Sequence, residues 1–233
     1  MLFRSGSLLQ HFTGSKAHNV ALRERARDLG LSLSEHGFAP IAGGDPEPCA
    51  DEEAVYARLG LDWIPPELRE DQGEIAAAAE QALPALVRLR DLKGDLHGHS
   101  DASDGKATPT EMARAAQARG LSYYAVTDHS KAVGMGIGLD AAETVANARR
   151  VRKAAKPLLE EGFHLLTGIE VDILPGGQLD LPDEVLAELD WVVASAHGVR
   201  GQDHDALTAS MVAAIEHPQV DVIAHPTGRL LDG

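Results

Sequence analysis

Five short apolar runs, Gly94 to His99, Leu121 to Asp128, Phe163 to Val171, Trp191 to His197 and Val220 to His225, end on or beside residue types that bind metal. Amphipathic stretches with readable helix starts separate them. Thr108-Pro109-Thr110-Glu111 is a capping box with proline at the first helical position, and Gly120 is a natural stop. Asp140 with Glu143 opens the next helix, Pro182 a third and Asp205 a fourth. The order β-α-β-α-β-α-β-α-β predicts a parallel sheet with helices outside it. Five strands do not close a barrel.

In a β/α barrel the C-terminal strand ends converge on one mouth. His97 and His99 end the first run, Asp128 and His129 the second, Glu170 the third, His197 the fourth and His225 the fifth. A lone histidine in such a place is more often a packed or surface residue. His97-Gly98-His99 changes that reading, because i and i+2 on a strand face the same way and can bind one ion together. His11, His18, His36, His164, His204 and His217 read as non-ligands; His164 stands at the wrong end of its strand. Imidazole and carboxylate without thiolate suit Zn, Mn or Fe in a polynuclear site. Glu170, on the central run, is the natural bridge. Such a centre polarises phosphorus and lowers the pKa of water to about 7, which points to phosphate ester hydrolysis.

Asp104, in Ser103-Asp104-Gly105, reads on its own as a turn residue. Lys131 and Arg229 each follow a ligand type and are candidates to clamp a substrate phosphate, with solvated loop charges as the alternative. The glycines of 134–138 read as a rim loop, since a glycine-rich run alone is a weak phosphate signal.

Charge narrows the partners. Lys plus Arg number 21 against 36 Asp plus Glu, a net −15 that excludes a uniformly basic DNA-coating protein. Residues 1–37 carry +2, residues 38–94 carry −7 and residues 95–233 carry −10, so only the first segment favours a phosphate backbone on charge alone. The single Cys49 excludes an internal disulfide and a thiolate cage, and no run suits a membrane span or secretion signal, so a cytoplasmic protein is expected. Residues 40–48 and Pro65-Pro66 are breaks, a boundary falls between about 70 and 94, and Gly73 to Arg90 is expected to be a helical connector interrupted at Pro84.

The runs GDLHGHSDASDG, VTDHS, GIEVDI, SAHG and IAHPTGR make residues 94–233 closely similar to the PHP domain, the polymerase and histidinol phosphatase family, in the form found at the C-terminus of bacterial and archaeal X-family DNA polymerases. The resemblance implies an α/β fold, a distorted (β/α)7 barrel truncated to five strands. It also implies a centre of up to three Zn2+ or Mn2+ ions on His97, His99, Asp104, His129, Glu170, His197 and His225, with Glu170, His129 and Asp104 as candidate catalytic residues. Asp128 becomes a supporting residue.

Residues 1–72, through His11-Phe12-Thr13-Gly14-Ser15-Lys16-Ala17-His18-Asn19 and Arg23, resemble the Phe-Thr-Gly-Ser segment of X-family polymerases, within a small α+β thumb. That resemblance implies sugar contacts by Phe12 and Gly14, a base contact by Asn19 and a template contact by Arg23; His11 stands where better-known members have Tyr. The organisation expected is a thumb over 1–72, a linker over 73–93 and a PHP phosphoesterase domain over 94–233. The palm carboxylates that hold Mg2+ and the last Asp-x-His ligands of the PHP family are not in the sequence, so a fragment of a repair polymerase is expected. It would be a cytoplasmic, nucleoid-associated monomer acting on gapped or 3′-ended DNA, hydrolysing phosphodiesters in a 3′-5′ exonuclease manner or 3′-phosphate ends, with dNTP a substrate of the parent. The alternatives are a small-molecule phosphatase of the histidinol phosphate type and a non-catalytic structural domain.

Overall fold

The computed structural model describes residues 6–134, 136–197 and 203–226, which fall into two compact units, Met1–Leu86 and Val87–Gly233. The division lies inside the connector expected over 73–93.

In the first unit, α1 (Gly6–Thr13) and α2 (Lys16–Asp28) are followed by a hairpin of β1 (Leu31–Ser34) and β2 (Gly37–Pro40), then by α3 (Glu52–Arg58) and α4 (Glu74–Ala79). Ser15 ends the short turn between the first two helices by accepting a hydrogen bond from the His18 amide, and Asp51 caps α3 through Ala54. Leu22, Phe38, Val55, Tyr56, Leu59 and Ile64 form the core. The connector helix expected over 73–90 is helical only over Glu74–Ala79. Gly73 enters it at φ 104°, Gln81 leaves it at φ 58°, and a single 3-10 turn, Leu89–Asp91, follows Pro84. Ala78 is buried in the core of this unit.

The second unit is the open, five-stranded half of a β/α barrel: β3 (Gly94–Asp95), β4 (Tyr123–Val126), β5 (His164–Asp172), β6 (Trp191–Ser195) and β7 (Val222–Ile223), all parallel and in sequence order. The helices α5 (Pro109–Ala118), α6 (Ala141–Glu160), α7 (Asp183–Leu186) and α8 (His204–Ile215) alternate with them. Thr108 and Asp140 form the expected capping boxes, and Pro182 precedes α7. Asp203, not Asp205, caps α8, accepting from the Ala206 amide; Asp205 lies in its first turn. No helix among the described residues is long and apolar enough to cross a membrane.

Period-two alternation sorts β5. Ile169, Val171 and Ile173 are fully buried in one core with Leu186 and Val192, each side chain contributing about 1.5–3 kcal/mol. Glu170 and Asp172, between them, face the other way and are equally buried. The outermost strands are shorter than expected. His97, His99 and His225 therefore lie in the chain just past β3 and β7, and His225 adopts φ 30°. Beyond β3 the backbone is still held to the second strand, because Thr127 N–H donates to the Gly98 carbonyl at 2.7 Å and Gly98 N–H to Thr127 Oγ1 at 3.0 Å.

Candidate metal centre

Glu170 is 1% exposed and both of its carboxylate oxygens meet imidazoles. Oε2 lies 3.3 Å from Nε2 of His97, 3.3 Å from Nε2 of His99 and 3.1 Å from Nδ1 of His129. Oε1 lies 3.5 Å from Nε2 of His197 and 3.2 Å from Nε2 of His225, and accepts a 2.5 Å hydrogen bond from Ser195 Oγ. The extension of β4 along β5 sets this register, for His129 lies opposite Glu170 and Ser130 N–H donates to the Glu170 carbonyl. Asp104 joins from the loop after β3, 3.1 Å from Nδ1 of His99 and 3.7 Å from Nε2 of His129.

The arrangement fits divalent cations. His97 Nε2 and His99 Nε2 lie 3.1 Å apart, and with Glu170 Oε2 they form a triangle with sides of 3.1–3.3 Å. Ligands held about 2.1 Å from one ion in a tetrahedron are themselves about 3.4 Å apart. His99-Asp104-His129 and His129-Glu170-His197 form two more such groups, sharing ligands with the first. Nδ1 of His99, His129 and His197 each lies 3.1–3.2 Å from a carboxylate oxygen but is not aligned for a hydrogen bond, and both buried oxygens of Asp172 likewise lack one. Buried orphans of this kind are costly unless something satisfies them.

The electrostatics agree with a cluster built around one anion. Burial opposes ionisation of Glu170, but hydrogen bonds from His97 and Ser195 and the charges of His129 and His97 outweigh it and hold the carboxyl below the usual range. The same carboxylate pulls His97 up, whereas burial pushes His129 down.

Asp128 is fully buried and accepts from Ser100 N–H at 2.8 Å, Ser100 Oγ at 2.7 Å, Ser103 Oγ at 2.6 Å and Asn147 Nδ2 at 2.8 Å. It ties the Asp104 loop to α6 and is no part of the ligand ring. Asp172 is the residue that sequence reasoning missed. Its Oδ1 lies 3.2 Å from Nδ1 of His197, and burial, Asp180 and Glu170 raise its pKa against the pull of His197. The i, i+2 rule that singled out His97 and His99 applies equally to Glu170-Val171-Asp172 and would have found it.

Other expected site residues fall elsewhere. Lys131 is exposed and pairs with Asp140 at 3.3 Å. Arg229 lies outside the described residues. In the first unit Phe12 is 76% exposed at the end of α1. A Cβ on Gly14 would come within 3.0 Å of the His18 ring. The Asn19 amide donates to the carbonyls of His11 and Gly14 and accepts from Gln10, so it holds the turn together. Arg23 reaches His11 Nδ1 at 3.4 Å. Beneath the turn, fully buried Arg69 donates to Thr13 Oγ1 and pairs with Glu52 at 2.5 Å.

A ring of imidazoles around one buried carboxylate at the strand ends of a parallel β/α sheet is a donor set that could hold divalent metal ions. Residues 95–219, more than half of the chain, match the PHP domain model, and the chain belongs to that family. Residues 8–70 match the DNA polymerase beta thumb, and the joined thumb and PHP modules are those of the X-family polymerases. The chain is 40% identical over 223 residues to the DNA polymerase/3′-5′ exonuclease PolX of Bacillus subtilis (strain 168), covering 96% of itself and 38% of that relative. Over the PHP portion it is 34% identical to a probable phosphatase of Acetivibrio thermocellus, with 57% of this chain and 53% of that one aligned, and equally to one of Thermoanaerobacter sp. (strain X514), with 57% and 53%. The chain thus spans well under two thirds of the length of each of these relatives.

Proposed function

We propose that the second unit is a metal-dependent phosphoesterase that hydrolyses DNA 3′ ends, as a 3′-5′ exonuclease or a 3′-phosphatase, and that the first unit holds the DNA. The observation that carries the reading is the sharing of Glu170 between two sets of imidazoles, one on each carboxylate oxygen. His97, His99, Asp104, His129, Glu170, His197 and His225 would hold Zn2+ or Mn2+. Bound there, the ions supply Lewis acidity at phosphorus and water of lowered pKa. Glu170 keeps its carboxylate ionised between the two halves of the site, and Asp104, on the exposed side, is placed to orient the attacking water. Lys131 exchanges its Asp140 partner for a substrate phosphate.

Phe12, Gly14, Asn19 and Arg23 make up the DNA-contacting turn, with Phe12 offering an exposed ring for stacking. The similarity of the PHP portion to probable phosphatases supports a second reading, a small-molecule phosphatase, for which the thumb would be superfluous. The test loads the chain with Mn2+ or Zn2+ and compares release of nucleotides from a 3′-labelled oligonucleotide with hydrolysis of histidinol phosphate. Preference for the oligonucleotide, lost in Arg23→Ala while a small ester is still cleaved, is the expected outcome. Preference for histidinol phosphate, insensitive to Arg23, would overturn it.

A further inference from the structure

Residues 95–233 contain eleven Lys and Arg, and five of them, Arg149, Arg150, Arg152, Lys153 and Lys156, fall within eight residues of α6. All five are exposed. Only Arg150 has a carboxylate partner among the described residues, Asp101 at 2.7 Å. Arg152 donates to the Glu188 carbonyl, which leaves its charge unneutralised. Arg149, Lys153 and Lys156 stand at i, i+4 and i+7, one outward stripe, with no acidic residue between Glu143 and Glu160. Like charges at this spacing repel, so the helix carries a strain that a polyanion relieves.

Of the stripe, Lys153 also lines a groove of about 410 Å³ between α5 and α6, together with Thr108, Thr110, Arg114 and Arg150. Through Arg150 and Asp101 the groove is tied to the loop that carries Asp104. The opposite face of α6, with Thr144, Ala148, Val151 and Leu158, is buried. An amphipathic helix that embeds in a bilayer needs its apolar face free, and this one is already spent on the core.

We infer that the outer face of α6, with Arg149, Lys153 and Lys156, is a DNA-backbone contact of the PHP unit, separate from the thumb turn and from the metal centre. It rests on the reading of the chain as acting on DNA. A local cationic stripe holds phosphate without reading sequence and makes binding salt-dependent.

The test measures affinity for a duplex with a 3′ overhang by fluorescence anisotropy across a potassium chloride series. It compares the unchanged chain, the triple variant Arg149→Gln/Lys153→Gln/Lys156→Gln, the single variant Lys153→Glu and the control Arg119→Gln on the far end of α5. Each lost phosphate contact makes the slope of log K against log salt shallower by about 0.9. The expected result is a slope shallower by about 2–3 in the triple variant, about tenfold or more weaker binding at low salt, and unchanged hydrolysis of bis(p-nitrophenyl) phosphate. Unchanged slope and affinity in the triple variant would overturn the inference. So would an equal loss per charge from Arg119→Gln, which would mean net charge alone is felt. So would binding to phosphatidylglycerol vesicles, rather than DNA, that depends on the stripe. If the unchanged chain binds no DNA, the DNA reading itself falls and takes this contact with it.

Discussion

The His197 ring spans two carboxylates of the same strand, with Nδ1 3.2 Å from Asp172 Oδ1 and Nε2 3.5 Å from Glu170 Oε1. With a metal bound at Nε2, a carboxylate this close to Nδ1 would align with it and fix the tautomer of the ring. Asp172→Asn is therefore expected to weaken metal binding about 10–100-fold while leaving the melting temperature of the metal-free protein nearly unchanged. Titration with Zn2+ against a competing chelator measures it; parent-like affinity would remove Asp172 from the site.

Glu170→Gln keeps the shape and removes the charge that five imidazoles surround. The expected outcome is a fall in the metal count per chain, measured by plasma mass spectrometry, together with loss of ester hydrolysis and retained DNA affinity. Retention of the full metal complement would refute the bridging role.

Gly98 owes its place to Tyr124. A Cβ there would lie 1.7 Å from the Tyr124 hydroxyl oxygen, and that phenol is half-buried, pushed up to about 12 by burial and by Asp95 and Asp128. Gly98→Ala should cost about 1–3 kcal/mol by overpacking and displace His97 and His99 together. Gly98→Ala/Tyr124→Phe should recover part of both stability and metal content, since it removes the closest clashing atom while the ring Cζ at 2.7 Å remains.

Acidification should loosen the first unit. His18 is fully buried, with Nδ1 2.6 Å from Glu74 Oε1 and Nε2 3.0 Å from the Tyr56 hydroxyl. Burial pulls its pKa below the ordinary 6.5 despite Glu74. Burial alone would raise Glu74, but His18 and the amides of Asp71 and Gln72 hold it below 4.5. Both groups have depressed folded values, so the unfolded chain takes up protons first. Stability is present above about pH 6.5, falls as pH drops below it through the folded value of His18, and falls again below about 4.5. In a Trp191→Phe background Trp63 reports this unit alone; an unchanged melting temperature between about pH 7.5 and about pH 5.5 would contradict a neutral, buried His18.

What the sequence disclosed depended on the range of the signal. Capping boxes at Thr108 and Asp140 are local and appeared where expected, as did the strand order. The glycine-ended hairpin Leu31–Pro40 was not singled out, because its strands are only four residues each and Gly37 takes φ 122° in a turn without an Asn-Gly or Asp-Gly signature. Of the centre, the ligand types were visible at the strand ends. What was hidden was pairing: the Asn19 amide also ties its own turn together through Gln10, His11 and Gly14, which no sequence pattern shows. The charge sums of whole segments also concealed the α6 stripe, because an acidic total says nothing about where the cations lie.

The strands of the second unit add to the sheet in the order in which they are synthesised. A nascent chain leaving a ribosome thus presents His97 and His99 first and waits several seconds at about 5–20 residues per second for Glu170. His197 and His225 arrive later still. If these residues hold metal as proposed, ion capture would be a late, stepwise event of biogenesis, and a cell short of the right cation while translation proceeds would leave five imidazoles crowded around a single acid.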